Sequence, residues 1–323
     1  MTSPIVSIIM PAFNAGRFIE DAIASVREQT LADWELIVVD DASTDDTARL
    51  VADAAARDPR IRSIRLAVNR GPAAARNVGI DAATGEWLAL LDADDRYDPA
   101  RLRTLVHVAT AAGADLCSDN LLLDFVPPKG APQPMIPTGL LSGVRELRLG
   151  EFIQRTMADP AWPGVNFGFL KPILRRRFLL DHRLRYDERV RFAEDFSFYV
   201  DCLQAGGRWF LSPEPLYIYR VRGDSLTQVQ TVADLDRLID KLNLVEGNSR
   251  GDRALAASVR RQRNDVARRR DYRAFTDAIK SRQFADAAFV LGRTNRSLVG
   301  VIGEMFRQTP VILKKFSAGG YRR

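Results

Sequence analysis

The feature that most constrains the fold of this chain is a regular alternation between short apolar segments and longer segments of helical pattern. The apolar segments at residues 5–10, 34–39, 61–66 and 87–91 have the length and the β-branched or aromatic content of strands. Strands that alternate with helices of about 10 to 15 residues are typical of βαβ units. The sequence therefore predicts an α/β fold of Rossmann-like type, with a mostly parallel sheet that carries helices on both faces.

Loop and capping residues mark where the predicted helices begin. These helices end near residues 29, 57, 83 and 112, and Ser43 or Thr44 is the predicted N-cap of the second. A further strand is predicted at residues 115–118, and the alternation stops after Asn120.

Polar or loop-forming residues follow three of the predicted strands. In an open parallel sheet, ligands bind outside the carboxyl ends of the strands, so these residues are expected to share one site. They are Pro11, Phe13 and Asn14 after the first strand, Asp40 and Asp41 after the second, and Asp92, Asp94 and Asp95 after the fourth.

The three carboxylates after the fourth strand lie within four residues of one another. Carboxylates this close repel one another, and Mg²⁺ or Mn²⁺ bound to oxygens of a phosphorylated substrate would neutralise them. The alternative is that Asp95 or Asp98 caps the helix that follows. The chain has two histidines and two cysteines, without the spacing of a His or Cys metal site, so carboxylates must supply any metal chemistry.

Several classes of nucleotide-binding protein do not fit the sequence. The first strand is followed by Pro11 rather than by a Gly-x-Gly-x-x-Gly turn, and the chain contains no Gly-x-x-x-x-Gly-Lys-Ser/Thr loop. The kind of nucleotide site that remains is one in which carboxylates and a metal hold a nucleoside diphosphate. Asp40 or Asp41 could accept a hydrogen bond from a uracil N–H, although a helix-capping turn is an equally good explanation of the pair.

Charge is distributed unevenly along the 323 residues, whose length allows one large domain with an appendage or two domains. Residues 251–323 carry 17 Lys or Arg and 6 Asp or Glu, a net charge of +11; because the whole chain carries +6, the remainder carries −5. The basic segment predicts either an anchor on an anionic membrane surface or a helical extension that packs on the rest of the chain. Its arginines are not interleaved with aromatic residues, so nucleic-acid binding is not expected.

The sequence also predicts a location. No uninterrupted apolar run reaches the length of about 18 residues that a membrane-spanning helix needs. The first apolar segment lacks the charged residues that begin a signal peptide. We therefore expect a cytoplasmic protein, either free or attached peripherally to the inner face of the plasma membrane.

Taken together, the motifs resemble those of glycosyltransferase family 2, in particular bacterial enzymes of exopolysaccharide and cell-surface glycan synthesis. The resemblance implies an inverting glycosyltransferase of GT-A fold, with a nucleotide-sugar half at residues 1–120 and an acceptor and catalytic-base half at 121–230. It does not extend beyond Thr227, and the basic helical extension expected at 231–323 follows from the pattern of that segment. The motifs that carry the resemblance are Pro11-Ala12-Phe13-Asn14, Asp40-Asp41-Ala42-Ser43-Thr44-Asp45, Ala75-Arg76-Asn77 and Leu91-Asp92-Ala93-Asp94-Asp95.

The resemblance assigns expected roles to residues of the first half. Asp41, or alternatively Asp40, would contact the base of a nucleotide sugar, usually uridine. Pro11, Phe13 and Asn14 would line the pocket for the base and ribose, and Arg76 would help to hold the nucleotide. Asp92 would reach the ribose or a metal-bound water, and Asp94 would bind Mg²⁺ or Mn²⁺ directly.

The resemblance also indicates Asp195 as the general base, with Glu194 steering the acceptor or supporting the loop. Phe192, Phe196 and Phe198 lie close by in sequence, and apolar surroundings make a carboxylate a better base. The residues alone favour another explanation, since an acidic pair at a helix start commonly complements the helix dipole.

A later segment, residues 217–227, departs from the family pattern. Relatives often have Tyr-Arg-x-His there, and Arg222 stands at the position of that histidine. A metal-ligating histidine is therefore missing. Arg220 or Arg222 could instead contact the diphosphate, because guanidinium matches phosphate geometry, or each could be a solvated surface residue.

These expectations describe a metal-assisted transferase that moves a sugar from a UDP-sugar to a glycan or lipid-linked acceptor. Two alternatives remain at this point. One is a sugar-phosphate nucleotidyltransferase, which would use similar carboxylates, although this chain lacks the Gly-rich basic loop of that class. The other is a non-catalytic glycan-binding protein built on a transferase fold.

Overall fold

A computed structural model describes residues 4–128, 130–156, 165–222, 230–249 and 251–292 of the chain. The chain forms two compact units, residues 1–226 and residues 227–323. The first unit is an α/β domain and the described part of the second is helical. The fold class predicted from the sequence, with a helical extension at the carboxyl end, is therefore confirmed.

In the described residues of the first unit, ten strands form one sheet. Its order is β3-β2-β1-β4-β9-β6-β10-β5, with β7 paired to β6 and β8 paired to β10. The strands are β1 Val6–Ala12, β2 Trp34–Asp40, β3 Ile61–Arg65, β4 Trp87–Leu90, β5 Arg96–Tyr97, β6 Leu116–Val126, β7 Gln133–Pro134, β8 Arg145–Leu147, β9 Ile173–Arg175 and β10 Trp209–Arg222.

The long strands of the sheet run in one direction. The pairs β1–β2, β1–β4, β2–β3 and β6–β10 are parallel, whereas the short strands β5, β7, β8 and β9 pair antiparallel with their neighbours. In the register of β1 with β2, Ala12 lies opposite Asp40. The residues that follow β1, β2 and β4 therefore emerge at one edge, as the sequence predicts.

Ten helices are described, seven in the first unit and three in the second. They are α1 Ile19–Arg27, α2 Thr47–Arg57, α3 Pro72–Ala82, α4 Arg101–Ala112, α5 Leu149–Arg155, α6 Arg176–Asp181, α7 Glu194–Gln204, α8 Val232–Asn248, α9 Arg253–Lys280 and α10 Phe284–Gly292.

Two local predictions were wrong. The N-cap of α2 is Asp46 rather than Ser43 or Thr44. Ser43 Oγ instead accepts from the backbone N–H of Asn14, so this hydroxyl joins the loops after β1 and β2. The strand predicted at residues 115–118 continues as β6 to Val126, because β10 pairs with it along almost its whole length. Pairing with a strand so far along the chain cannot be predicted from the sequence of residues 115–126 alone.

The core of the first unit lies around β1, β2 and β4, whose residues are almost all buried. Helix α3 packs closely on β1 at Gly79, where an added Cβ would lie 2.4 Å from a side-chain atom of Ile9. Glycine is therefore required there for the approach of helix to sheet. This close packing fixes α3, which carries Arg76 and Asn77.

An ion pair lies within this core. The Arg101 guanidinium on α4 donates two hydrogen bonds to the Asp119 carboxylate on β6, at 2.9 and 2.8 Å, and both side chains are fully buried. The guanidinium also lies 4.3 Å from the centre of the Tyr97 ring and 5.0 Å from that of Tyr217. A third hydrogen bond reaches the Lys171 carbonyl oxygen. Arg101 therefore joins four separate segments of the domain.

In the second unit, α8 and α9 pack through apolar residues such as Leu242 and Val259, which are buried. Many α9 arginines are ion-paired; Arg260 and Arg263, for example, both contact Glu246 on α8. None of the helices within the described ranges is long and apolar enough to cross a bilayer. Residues 293–323 of the basic segment, for which a membrane anchor was one prediction, lie outside these ranges.

The buried pair predicts a sharp asymmetry between two substitutions. Arg101→Met leaves Asp119 as an unpaired buried charge, so we expect a loss of about 3–5 kcal/mol in the free energy of unfolding. Arg101→Met combined with Asp119→Leu removes both charges and is expected to be less destabilised than Arg101→Met alone. Urea unfolding followed by tryptophan fluorescence measures both. A single variant as stable as the wild type would contradict this account of the core.

Candidate active site

The site lies at the edge of the sheet where β1, β2 and β4 end. Phe13, after β1, is 48% exposed, so its ring is accessible for stacking with a ligand. The side-chain oxygen of Asn14 accepts from the backbone N–H of Thr44, so this amide already joins two loops. The backbone of Asn14 is left-handed, with φ of 49°. The predicted roles of Pro11, Phe13 and Asn14 around a base and ribose stay predictions.

Asp40 and Asp41 at the end of β2 are both buried and both have protein partners. Asp41 accepts hydrogen bonds from the backbone N–H groups of Arg70 and Gly71, at 2.8 and 2.7 Å, immediately before α3. Asp40 accepts from the backbone N–H of Ser43 and forms an ion pair with Arg65 at 3.3 Å. Both carboxylates therefore shape the loops of the site, and the predicted contact of either with a uracil stays a prediction.

At the centre of the site, two cations hold three carboxylates. We call this group the ion cluster; it consists of Arg76, Lys171, Asp92, Glu194 and Asp195. Its members come from α3, from the loop before β9, from the end of β4 and from the start of α7, so residues far apart in sequence meet only through the fold.

Arg76 and Lys171 each contact both Asp92 and Asp195. The Arg76 guanidinium lies 2.9 Å from Asp92 Oδ1, 2.8 Å from Glu194 Oε1 and 3.3 Å from Asp195 Oδ1. Lys171 Nζ lies 2.9 Å from Asp92 Oδ2 and 2.6 Å from Asp195 Oδ2. Every oxygen of Asp92 and Asp195 therefore faces a cation.

Burial in the ion cluster differs between the two signs of charge. The side chains of Arg76 and Lys171 are 4% and 5% exposed, while that of Asp92 is 25% exposed. The cations thus lie beneath the carboxylates, which form the floor of the site. Buried cations of this kind are stable only when they are paired, and the carboxylates provide the pairing.

The electrostatics of the cluster keep Lys171 and Asp92 charged. Burial lowers the pKa of the Lys171 ammonium, but Asp195 and Asp92 outweigh burial and raise it well above its ordinary value. Burial raises the pKa of Asp92, but Lys171 and Arg76 outweigh burial and hold it below its ordinary value. Asp92 is therefore an anion, and Lys171 is a charged hydrogen-bond donor, at neutral pH.

Asp195 lies in the first turn of α7, which Glu194 begins. The expectation of apolar surroundings for its carboxylate was wrong. Lys171, Arg76 and the Tyr186 hydroxyl, which donates to Asp195 Oδ1 at 3.0 Å, occupy that position. Phe196, which the sequence offered as an apolar neighbour, stacks instead on Phe152 in the core.

The Tyr186 contact depends on a second layer of hydrogen bonds. The Asn77 amide on α3 donates to the Tyr186 carbonyl oxygen at 2.9 Å and accepts from its backbone N–H at 3.0 Å. The Tyr186 ring also stacks on Phe198 of α7, with 4.2 Å between the ring centres. Tyr186 is therefore fixed by both its backbone and its ring, and its hydroxyl is fixed with them.

At the outer rim of the site, Asp94 contacts Arg222 of β10, with 2.6 Å between Oδ2 and Nη2. Their side chains are 30% and 23% exposed. Burial and the nearby Asp92 raise the pKa of Asp94 in spite of Arg222. Arg220 points elsewhere: its guanidinium pairs with Asp21 at 3.1 Å. The predicted contacts of both arginines with a diphosphate stay predictions, and residues 223–227 of the segment 217–227 lie outside the described ranges.

Asp95, next to Asp94, is buried and serves the fold. It accepts from the Tyr217 hydroxyl at 2.8 Å and from the backbone N–H of Arg220 at 2.8 Å. The Tyr217 hydroxyl in turn accepts from the backbone N–H of Asp92 at 3.2 Å. Asp95 and Tyr217 therefore fix the turn that presents Asp92 and Asp94, a function that the sequence alone did not reveal.

The predicted metal ligands fit an ion that arrives with a phosphorylated substrate better than an ion that the free protein holds. Within the described ranges, no group of three or more His, Cys, Asp or Glu residues could hold a metal. Both Asp92 oxygens face cations, which leaves Asp94 as the partly exposed carboxylate at the rim. Mg²⁺ is commonly bound by one or two carboxylates together with substrate phosphates.

Sequence reasoning missed Lys171, Tyr186 and Tyr217. Lys171 precedes a proline and a three-residue strand. The neighbouring residues in the sequence are a mixture of basic and apolar types, which does not indicate a functional site. The importance of Lys171 follows from β9, which inserts between β4 and β6 and brings Lys171 beside Asp92. That insertion has no local sequence signal.

Comparison with known proteins identifies the family. The family model described as "Glycosyl transferase family 2" matches residues 7–178, slightly more than half of the chain. The chain belongs to glycosyl transferase family 2. It is therefore a glycosyltransferase, and the alternative of a nucleotidyltransferase is not supported.

Two relatives in Rhizobium meliloti (strain 1021) resemble this family 2 chain over most of its length. The succinoglycan biosynthesis protein ExoO is 41% identical over 73% of this chain and 66% of its own length. The succinoglycan biosynthesis protein ExoU is 33% identical over 92% of this chain and 86% of its own length. The chain thus spans slightly less than two thirds of the first of these proteins and most of the second.

Solved structures show that the fold is of the GT-A type. Residues 1–349 of S. aureus TarS in complex with UDP-GlcNAc superpose with a TM-score of 0.65 at 19% identity, over 94% of this chain and 91% of that one. The mannosyltransferase PcManGT from Pyrobaculum calidifontis, in complex with GDP-Man and Mn²⁺, gives a TM-score of 0.57 at 18% identity, over 95% and 81%.

Proposed function

We propose that this chain transfers a sugar from a UDP-sugar to a hydroxyl of a glycan or lipid-linked acceptor, with inversion at the anomeric carbon, in the synthesis of a bacterial surface polysaccharide. The observation that carries the proposal is the ion cluster, which places Asp195 beside Asp92 at the ligand-binding edge of a family 2 sheet. The names of ExoO and ExoU, which refer to succinoglycan biosynthesis, support the polysaccharide role.

Uridine as the base rests on two lines of support. Asp41, or alternatively Asp40, is a carboxylate acceptor suited to a uracil N–H, and Phe13 offers an exposed ring nearby. The TarS structure was determined with UDP-GlcNAc, whereas PcManGT was determined with GDP-Man. A donor panel that includes both bases is therefore the first experiment, with release of the nucleoside diphosphate as the measurement.

The proposed reaction is an in-line displacement. The acceptor O–H gives its proton to the Asp195 carboxylate while its oxygen forms a bond to the anomeric carbon. The bond from that carbon to the diphosphate oxygen breaks, and its electron pair leaves with the diphosphate. Attack from the face opposite the leaving group inverts the anomeric configuration. Glu194, bound to Arg76 at 2.8 Å, supports the loop beside the base.

The leaving diphosphate needs neutralisation. We infer that Asp94 would hold Mg²⁺ or Mn²⁺ together with the donor phosphates, with Asp92 reaching the ribose or a metal-bound water. When bound, such an ion stabilises the negative charge that develops on the diphosphate. Arg222 must then release Asp94, and its guanidinium becomes available to the phosphates. Arg76 holds the Asp92 carboxylate in place for the nucleotide.

The acceptor side of the proposal concerns the second unit. Arg253, Arg261, Lys280 and Arg282 are among the exposed basic side chains of its described part. We propose that they contribute to binding an anionic membrane surface on the cytoplasmic side, which would bring the enzyme to a lipid-linked acceptor.

The first prediction from this function concerns the base. Asp195→Asn is expected to lower kcat for nucleotide release by about 10²–10⁴-fold, because the amide cannot accept the acceptor's proton. Binding of UDP, measured by calorimetry, should remain close to that of the wild type. Asp181→Asn, an exposed carboxylate on α6, is the matched control and should leave kcat unchanged. A wild-type kcat in Asp195→Asn would remove Asp195 from the role of base.

The second prediction concerns the metal. Because Arg222 competes for Asp94 in the free protein, Arg222→Ala is expected to bind Mn²⁺ more tightly than the wild type in the absence of nucleotide. Titration of Mn²⁺ followed by electron paramagnetic resonance measures this directly. Arg220→Ala, whose guanidinium pairs with Asp21 instead, is the matched control. Equal Mn²⁺ affinity in the wild type and Arg222→Ala would show that the two cations do not share Asp94.

The third prediction concerns the membrane. Arg261→Gln combined with Lys280→Gln in the full chain should weaken co-sedimentation with phosphatidylglycerol vesicles by about 2 kcal/mol, roughly thirtyfold, since each basic residue near an anionic surface contributes about 1 kcal/mol. Arg261→Lys combined with Lys280→Arg keeps the charge and should bind as the wild type does. Unchanged co-sedimentation of the Gln variant, or none by the wild type, would refute this surface.

A further inference from the structure

One ammonium group contacts carboxylates that serve opposite substrates. Under the proposed function, Asp92 belongs to the donor side and Asp195 to the acceptor side. Lys171 Nζ lies 2.9 Å from the first and 2.6 Å from the second. Donor binding and proton transfer as described above give Lys171 no function of its own. A buried lysine placed between two functional carboxylates therefore needs an explanation.

The backbone of Lys171 is fixed from below. Its carbonyl oxygen accepts a hydrogen bond from Arg101, and Arg101 is held by Asp119 in a fully buried pair. The next residues enter β9, which is paired on one side with β4 and on the other with β6. The backbone of Lys171 is thus anchored to the domain core, and its ammonium group lies between Asp92 and Asp195.

The contacts on Asp195 divide between its two oxygens. Lys171 donates to Oδ2, while the Tyr186 hydroxyl donates to Oδ1 at 3.0 Å. Donors on both oxygens fix the rotation of the carboxylate about its bond to Cβ. A base that must meet the acceptor hydroxyl in one geometry gains from such fixation, because a misplacement of about 1 Å can lower a rate by 10²-fold.

A purely charge-balancing role does not explain these contacts. Arg76 already contacts Asp92, Glu194 and Asp195 from the other side and is as deeply buried as Lys171. What Lys171 adds is a donor at Asp195 Oδ2 and a rigid connection from that oxygen to Asp92 Oδ2. The contribution is therefore one of geometry.

We propose that Lys171 is a positioning residue, whose ammonium group sets the Asp195 carboxylate in register with Asp92 and so with the anomeric carbon of the bound donor. The inference rests on the proposed function and deepens it. Lys171 touches neither the transferred proton nor the leaving group; it affects proton transfer through Asp195, and its contact with Asp92 bears on donor binding. Its loss must therefore affect turnover more than donor binding, and must lower kcat no further once Asp195 can no longer act as a base.

A double-mutant cycle tests this dependence. Lys171→Met is expected to lower kcat by about 10²-fold, with a smaller change in the KM for the donor. In the Asp195→Asn background, the same substitution is expected to lower kcat no further, because both changes act through one carboxylate. Lys171→Arg, which keeps a cationic donor, should recover most of the lost kcat. Lys241→Met, which removes an ammonium group from the second unit, is the matched control.

The outcomes separate this inference from the proposed function. A wild-type chain that turns over no donor overturns both. Turnover by the wild type with an unchanged kcat in Lys171→Met overturns the inference alone, as does a further fall of kcat when Lys171→Met is added to Asp195→Asn. A loss confined to UDP affinity would make Lys171 a donor-binding residue and also overturn it. If Lys171→Met does not fold, Lys171→Gln replaces it under the same expectations.

Discussion

The site depends on the pairing of two buried cations with three carboxylates at the end of a parallel sheet. Arg76 and Lys171 are almost fully enclosed, and removal of either would leave three neighbouring carboxylates with a single cation among them. Taking ions out of water is costly, and only close pairing with good geometry offsets that cost. The domain meets this condition by bringing α3, β4, β9 and α7 together. The order of the strands therefore determines which charged side chains meet in the site.

The ion cluster lies between a fully buried support and a partly exposed rim. The support is the buried Arg101–Asp119 pair, which reaches the cluster through the Lys171 carbonyl. The rim is the Asp94–Arg222 pair, in which both side chains are partly exposed. Under the proposed function both properties are needed, because the base must hold one geometry while the diphosphate site must admit a charged substrate. The structure separates these requirements by depth.

Much of the fold could be predicted from local pattern. Apolar runs of strand length that alternate with helical segments determine an α/β sheet, and carboxylates directly after strands mark its ligand-binding edge. The predicted places of Asp92, Asp94, Asp41 and Asn14 at that edge followed from this rule. Prediction failed where a distant partner decides the outcome. The extension of β6 to Val126 depends on its pairing with β10. The Ser43 hydroxyl binds the backbone of Asn14 in the loop after β1, and the N-cap of α2 is Asp46.

The sequence by itself determined the family, the class of fold and the carboxylates that define the site, because these are encoded in short motifs and in the periodicity of apolar residues. The tertiary structure alone decided what surrounds those carboxylates. Sequence neighbours gave Asp195 apolar surroundings, whereas the fold gives it Lys171, Arg76 and Tyr186. The reason is physical: the charge state and orientation of a side chain depend on the groups within a few ångströms, and in a sheet those groups come from strands and helices that are far apart along the chain.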